Sequence, residues 1–145
     1  MRTYLALVGL LLGYQNLGAD ELIPITTSSS AARASYLQAR ELFENLRNAD
    51  ARADLQAAVA ADPEFALAWL GLAQASTSAQ EFFDSVERAV NLVDNVSPGE
   101  RLWIEGFDAG VKGLPETQRQ RYIELAALHE ADPRAHNLLG THHFG

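Results

Sequence analysis

Apolar residues recur every three or four positions along most of the chain, which is the spacing of one face of an α-helix. Short polar clusters containing serine, aspartate, glycine or proline interrupt this pattern at regular intervals. No stretch shows the alternation of apolar and polar residues that indicates a half-buried β-strand. The pattern therefore predicts an all-α protein with seven helices. They span approximately residues 31–47, 51–61, 63–75, 79–94, 98–112, 115–130 and 133–145.

Residues with helix-capping side chains stand at the predicted helix starts. Ser97 and Glu100 have the spacing of a capping box, and Pro98 lies between them at the first helical position, where an amide would have no partner. Ser78 and Glu81 repeat the capping-box spacing before the fourth helix. The other residues predicted to start or end helices are Asp50, Asp62, Pro63, Gly113, Pro115, Asp132 and Pro133.

One apolar face of each helix supplies the expected core. The residues predicted to face inward are Ala32, Tyr36, Ala39, Leu42, Phe43 and Leu46 in the first helix, Ala51, Leu55, Ala58 and Val59 in the second, Trp69, Leu72 and Ala73 in the third, Phe82, Phe83, Val86, Ala89, Val90 and Val93 in the fourth, Leu102, Trp103, Phe107 and Val111 in the fifth, and Tyr122, Leu125, Ala126 and Leu128 in the sixth.

Small residues recur at a nearly constant interval on alternate helices. Ala39, Ala73, Gly106 and Gly140 are separated by 34, 33 and 34 residues. A small residue at such a position allows the second helix of a hairpin to approach closely. The interval therefore predicts a repeated helix–turn–helix unit.

The repeated unit resembles the tetratricopeptide repeat, a 34-residue helical hairpin. The resemblance rests on Trp69, Leu72 and Ala73 in the second unit, on Gly106 and Tyr122 in the third, and on Ala39, Ala51, Leu55, Ala58 and Pro63 in the first. It implies antiparallel helical hairpins stacked as a right-handed α-solenoid. Residues 31–145 would form three hairpins and the first helix of a fourth.

The predicted seventh helix has no second helix to pair with, and its apolar face contains Leu138, Leu139 and Phe144. Repeat arrays usually end in a helix with a polar outer face. We therefore expect residues 31–145 to be the N-terminal part of a longer array. The alternative is a half-repeat that caps the array itself, and its apolar face would then be a surface for self-association.

The first nineteen residues have the pattern of a secretory signal peptide. Arg2 gives a positive start, residues 4–12 are apolar or small, and Ala19 marks a small-residue cleavage region. The apolar run is too short to span a bilayer. We predict a signal peptide over residues 1–19, a linker over residues 20–30 and a protein exported to the periplasm or beyond, without stable membrane insertion after cleavage. A buried N-terminal helix or an uncleaved anchor is the alternative.

The net charge and the absence of catalytic motifs exclude several classes of function. The chain has 11 basic and 19 acidic residues, so it lacks the basic surface that nucleic acids or anionic lipids require. It contains no cysteine, no phosphate-binding glycine loop and no Gly-x-Ser-x-Gly motif. His129, His136, His142 and His143 do not have the spacing of a converging metal site. We therefore expect a protein that is not an enzyme and that has no cofactor or metal.

In tetratricopeptide proteins the first helices of the hairpins line a concave groove that holds a partner's peptide. The resemblance therefore implies a non-catalytic scaffold for protein or peptide binding. The alternative is an accessory repeat region of a longer exported enzyme or sensor. Tyr36, Phe43 and Phe107 are equally well explained as core residues. The groove residues implied by the resemblance are Arg33, Tyr36, Arg40, Phe43, Leu67, Leu70, Gln74, Trp103, Phe107, Arg134 and Asn137.

Overall fold

A computed structural model describes residues 22–141, and within this range the chain is helical and contains no strand. The predicted signal peptide over residues 1–19 lies outside the described residues. The helices are α1 (Ser30–Glu44), α2 (Asn48–Ala61), α3 (Ala66–Gln74), α4 (Ala79–Asn91), α5 (Pro98–Val111), α6 (Pro115–Leu128) and α7 (Pro133–Thr141), with a 3-10 turn at Val93–Asn95.

Helices that follow one another in the chain pack against one another. The closest pairs are α1 with α2, α3 with α4, and α5 with α6, and α7 packs on α6. The main core runs from α1 to α5 and contains Leu55, Phe65 and Ile104, all fully buried. A second apolar cluster between α5, α6 and α7 includes Leu125 and Ala135. The all-α prediction is confirmed for the described residues, and the packing of neighbouring helices is consistent with a helical repeat.

The capping prediction is confirmed at α5. The Ser97 side chain accepts a hydrogen bond from the Glu100 amide, and the Glu100 carboxylate accepts one from the Ser97 amide. At α4 the Ser78 hydroxyl accepts a hydrogen bond from the Glu81 amide. The Glu81 carboxylate accepts one from the amide of Thr77, which lies one residue before Ser78. These local hydrogen bonds fix where the two helices begin.

The predicted start of the third helix is wrong by three residues. α3 begins at Ala66, with Phe65 at the capping position, and Asp62 does not cap it. One Asp62 carboxylate oxygen accepts the Glu64 amide in a tight turn, and the other accepts the Thr27 hydroxyl. The turn brings Phe65 into the core, where its ring lies 5.0 Å from the Tyr36 ring.

The break between the first two helices also lies earlier than predicted. α1 ends at Glu44, and Leu46 has a φ of 57°, a left-handed conformation that turns the chain. Leu46 was predicted to face inward and is 90% exposed. Asp50 was predicted to cap α2, but it lies in the first turn and forms an ion pair with Arg47.

Two more residues predicted to face inward point to solvent. Phe83 is 57% exposed, because Phe82 takes the inward position and packs against Phe107. Leu128 is 50% exposed at the end of α6, where the inward positions belong to Leu125 and His129.

Small residues at the repeated interval are buried in all three hairpins. A Cβ added to Gly106 would lie 2.4 Å from Cε1 of Tyr122, so α5 and α6 touch at this point. Ala39 and Ala73 are buried in the corresponding positions of α1 and α3. Gly140 differs, because no described atom lies within 4 Å of the same position on α7. The interval therefore marks close packing in the first three units.

In the part of the chain that the structure describes, no helix has the length and apolar character needed to cross a membrane.

Candidate functional site

A groove crosses the face formed by α1, α3, α5 and α7. It encloses about 220 Å³, and its lining is mainly apolar. Leu67 and Leu70 of α3 supply apolar walls and are themselves almost fully buried. The groove is lined by Tyr36, Arg40, Phe43, Glu44, Leu67, Leu70, Gly71, Gln74, Trp103, Arg134, Asn137 and Leu138.

The structure brings together most of the residues that the resemblance placed in a groove. Four alternate helices each contribute, as a row of first helices would. The predicted residues that line it are Tyr36, Arg40, Phe43, Leu67, Leu70, Gln74, Trp103, Arg134 and Asn137.

Two predicted residues lie elsewhere. The Arg33 guanidinium donates hydrogen bonds to the backbone carbonyls of Ile25 and Thr27, at 2.7 and 3.3 Å. The Phe107 ring packs against Phe82, with the ring centroids 6.2 Å apart. Arg33 therefore holds the chain that precedes α1, and Phe107 joins α5 to α4.

Tyr36 forms part of the groove floor and also belongs to the core. Its ring packs on Phe65, and burial raises the pKa of its hydroxyl to about 12, against the opposing charges of Arg134 and Arg40. The hydroxyl therefore stays protonated at neutral pH and can serve as a neutral hydrogen-bonding group in the groove.

Arg134 lies at one end of the groove and is held from two sides. Its guanidinium pairs with the Asp132 carboxylate at 2.5 Å and lies over the Trp103 ring, 5.7 Å from the centroid. Asp132 is buried, and burial acts to raise its pKa. The hydrogen bonds from the Arg134 side chain and from the Ile23 and Arg134 amides outweigh burial and hold that pKa below its usual value. Asp132 is thus a carboxylate at neutral pH.

Arg40 is the more available cation of the groove. Its only ion pair within the described residues is with Glu44, four residues on, at 3.8 Å between the nearest atoms. Its side chain is about one-third exposed. An exposed pair of this length contributes little to stability. Arg40 can therefore exchange Glu44 for a carboxylate or carbonyl of a bound molecule.

Two buried donors at the groove have no acceptor among residues 22–141. They are the indole N–H of Trp103 and one guanidinium nitrogen, Nη1, of Arg134. A buried donor without an acceptor is costly, and native proteins rarely leave one unsatisfied. Both nitrogens are almost inaccessible to solvent, so a molecule in the groove does not reach them without a rearrangement, and Arg40 is the donor available to it.

An extended segment, residues 22–29, packs along one edge of this face and was not anticipated as a contact element. We call it the N-terminal segment. Ile23 is buried, Ile25 and Thr27 are half-buried, and the residues between them are exposed. The Ile23 side chain joins the apolar cluster of Leu125 and Ala135. The stretch predicted as a linker therefore packs on the helices. Alternate residues, starting from residue 23, bury their side chains.

The carboxylates of Asp62, Glu100 and Asp132 hold the N-terminal segment, and we call this row of carboxylates the rim. The Thr27 hydroxyl donates to Asp62, before α3, and both the amide and the hydroxyl of Thr26 donate to Glu100, in the first turn of α5. The Ile23 amide donates to Asp132, before α7, at 2.8 Å. The segment therefore passes the N-terminal ends of α3, α5 and α7 in turn.

The sequence contained one signal for this contact. Ile23 and all of residues 25–27 are β-branched, and this composition favours an extended chain. The pattern is too short to predict what the segment touches. Glu44, Gly71 and Leu138 were also missed as groove residues.

Among the described residues, no group of three His, Asp or Glu side chains could hold a metal ion. His142 and His143 lie outside this range. No protein-family model matches the chain, and no curated protein shows significant similarity to it.

Proposed function

We propose that this protein is a non-catalytic helical-repeat scaffold that binds a peptide or protein segment in the groove of α1, α3, α5 and α7. The observation that carries the proposal is an apolar groove whose lining includes a partly exposed and weakly paired cation, Arg40. The apolar walls Leu67, Leu70 and Phe43 would take an aliphatic or aromatic side chain. Arg40 would bind a carbonyl or carboxylate oxygen beside it.

The proposal extends to the fold and the location of the protein. We propose a right-handed solenoid of the tetratricopeptide type, which the pairing of successive helices and the close contact of Gly106 with Tyr122 support. We also propose export, which the signal-like pattern of residues 1–19 supports. Mass spectrometry of the mature protein, with an N-terminus near residue 20, would test the location.

Selection from a displayed library of random peptides tests the binding function. The purified protein is the target, and the affinity of each selected peptide is then measured for the wild type and for Arg40→Glu. Arg40 is in the groove, so the charge reversal should weaken binding by about tenfold or more. Because Arg40 makes only a long ion pair, the variant should keep its stability within about 1 kcal/mol.

Arg119→Glu is the matched control, because Arg119 is an exposed arginine on α6, outside the groove. Peptides that use the groove should bind this variant as they bind the wild type. Equal loss of affinity in both variants would mean that binding depends on overall charge. No loss in Arg40→Glu would place the binding site outside the groove.

A further inference from the structure

We infer that the rim is a second peptide-binding site beside the groove, sharing Arg134 with it, and that the N-terminal segment is its resident ligand. The class of ligand is an extended peptide with β-branched residues at alternate positions and free backbone amides. The inference does not rest on the groove function, because the carboxylates of the rim, Asp62, Glu100 and Asp132, do not line the groove.

The side-chain contacts define what the site recognises. Ile23 is 2% exposed and enters an apolar cluster between α5, α6 and α7. Two residues later, Ile25 packs against the main core. Pro24 lies between them and is exposed. The site therefore has two apolar pockets at the spacing of alternate residues in an extended chain.

The backbone contacts define the conformation and direction of the ligand. The amides of Ile23 and Thr26 donate to Asp132 and Glu100, at 2.8 and 2.7 Å. The Arg134 guanidinium donates to the carbonyl of Ile23 at 2.9 Å. Hydrogen bonds to charged groups are stronger than neutral ones, and these use backbone atoms that any peptide carries. The side-chain pockets would then select which peptides bind.

The Glu100 carboxylate receives most of its hydrogen bonds from the N-terminal segment. This carboxylate is fully buried, and within the described residues its hydrogen-bond donors are the Ser97 amide, the Thr26 amide and the Thr26 hydroxyl. A buried carboxylate without donors is strongly unfavourable. Two of the three donors belong to the N-terminal segment, so a rim without the segment would offer an acceptor that a replacement peptide can satisfy.

Ile23→Asp in the full chain should release the segment. It places a charge in an apolar cluster, beside the Asp132 carboxylate. Leu22→Asp is the control, because it adds the same charge at an exposed neighbouring position. The probe is a fluorescently labelled synthetic peptide with the sequence of residues 21–29, and binding is followed by fluorescence anisotropy. Circular dichroism establishes whether each variant is helical.

We expect the peptide to bind Ile23→Asp more than about tenfold more tightly than it binds the wild type or Leu22→Asp. In those two proteins the attached segment competes at a high effective concentration. The same peptide carrying Ile23→Asp should not bind to any of the proteins. Ile23→Gly provides a second vacated rim without an added charge.

Two results would overturn the inference. A helical Ile23→Asp or Ile23→Gly protein that fails to bind the peptide would show that the rim is not a transferable site. Loss of the helical signal in both variants would make the N-terminal segment part of the folding core and not a ligand.

Discussion

The guanidinium of Arg134 lies over the indole ring of Trp103, with its central carbon 5.7 Å from the ring centroid. Trp103 lines the groove, and Arg134 lines it as well while also binding the Ile23 carbonyl of the N-terminal segment. The two residues thus connect the groove with the rim.

Arg134→Ala should destabilise the protein by about 3 kcal/mol, because it leaves the buried Asp132 carboxylate without its charge partner. The free energy of unfolding in urea measures the effect. Arg119→Ala, at an exposed position, should change it by less than about 0.5 kcal/mol. Equal values for the two variants would mean that the Arg134–Asp132 pair does not stabilise the fold.

Gly106→Ala should destabilise the protein by about 1–3 kcal/mol, because the new Cβ would lie 2.4 Å from Cε1 of Tyr122 and force α5 and α6 apart. Gly140→Ala is the matched control, since it also replaces a helical glycine but meets no described atom within 4 Å. Alanine favours the helix, so this variant should be neutral or more stable. Thermal unfolding of both variants tests the contact, and similar melting temperatures would contradict it.

Acid should lower the free energy of unfolding through Asp132. The folded-state pKa of Asp132 lies below 3.8, so its stabilising effect is complete above that pH and is lost as the pH falls through the folded-state pKa. We expect the difference in unfolding free energy between the wild type and Asp132→Asn to be constant from about pH 5 to 7 and to shrink below 3.8. A difference that grows on acidification would mean that the ionised form of Asp132 destabilises the fold.

Alkali should destabilise the protein through Tyr36. Its pKa rises from 10.0 in the unfolded chain to about 12 in the fold, so its contribution is complete below pH 10.0 and is lost as the pH rises toward about 12. Burial also raises the pKa of Tyr122, so ultraviolet absorbance titration should show two late tyrosines in the wild type and one fewer in Tyr36→Phe. If both proteins show the same titration curve, Tyr36 is not buried as the structure shows.

Features with local causes were predictable from the sequence. The capping box of Ser97 and Glu100 needs residues only three apart, and it forms as predicted. The helical periodicity likewise placed the buried residues of α2 correctly at Ala51, Leu55, Ala58 and Val59. Most residues that line the groove were implied by the resemblance to the tetratricopeptide repeat, in which equivalent positions on the first helices face the same side.

Features with distant causes were not predictable. Asp62 was expected to cap α3, but its carboxylate binds the Thr27 hydroxyl, 35 residues earlier in the chain. The N-terminal segment depends on the contact of Ile23 with Asp132, which are 109 residues apart. A single sequence offers capping and periodic patterns within a few residues, but it does not show which distant carboxylate an extended segment will reach.

The position of a selected peptide on the protein tests most directly whether the groove is the binding site. Backbone amide NMR shifts, measured while a library-selected peptide is added, report that position. If the peptide binds in the groove, the largest changes should fall on the groove residues of α1, α3, α5 and α7, including Arg40, Leu70 and Trp103. Changes confined to α2, α4 and α6 would contradict binding in the groove.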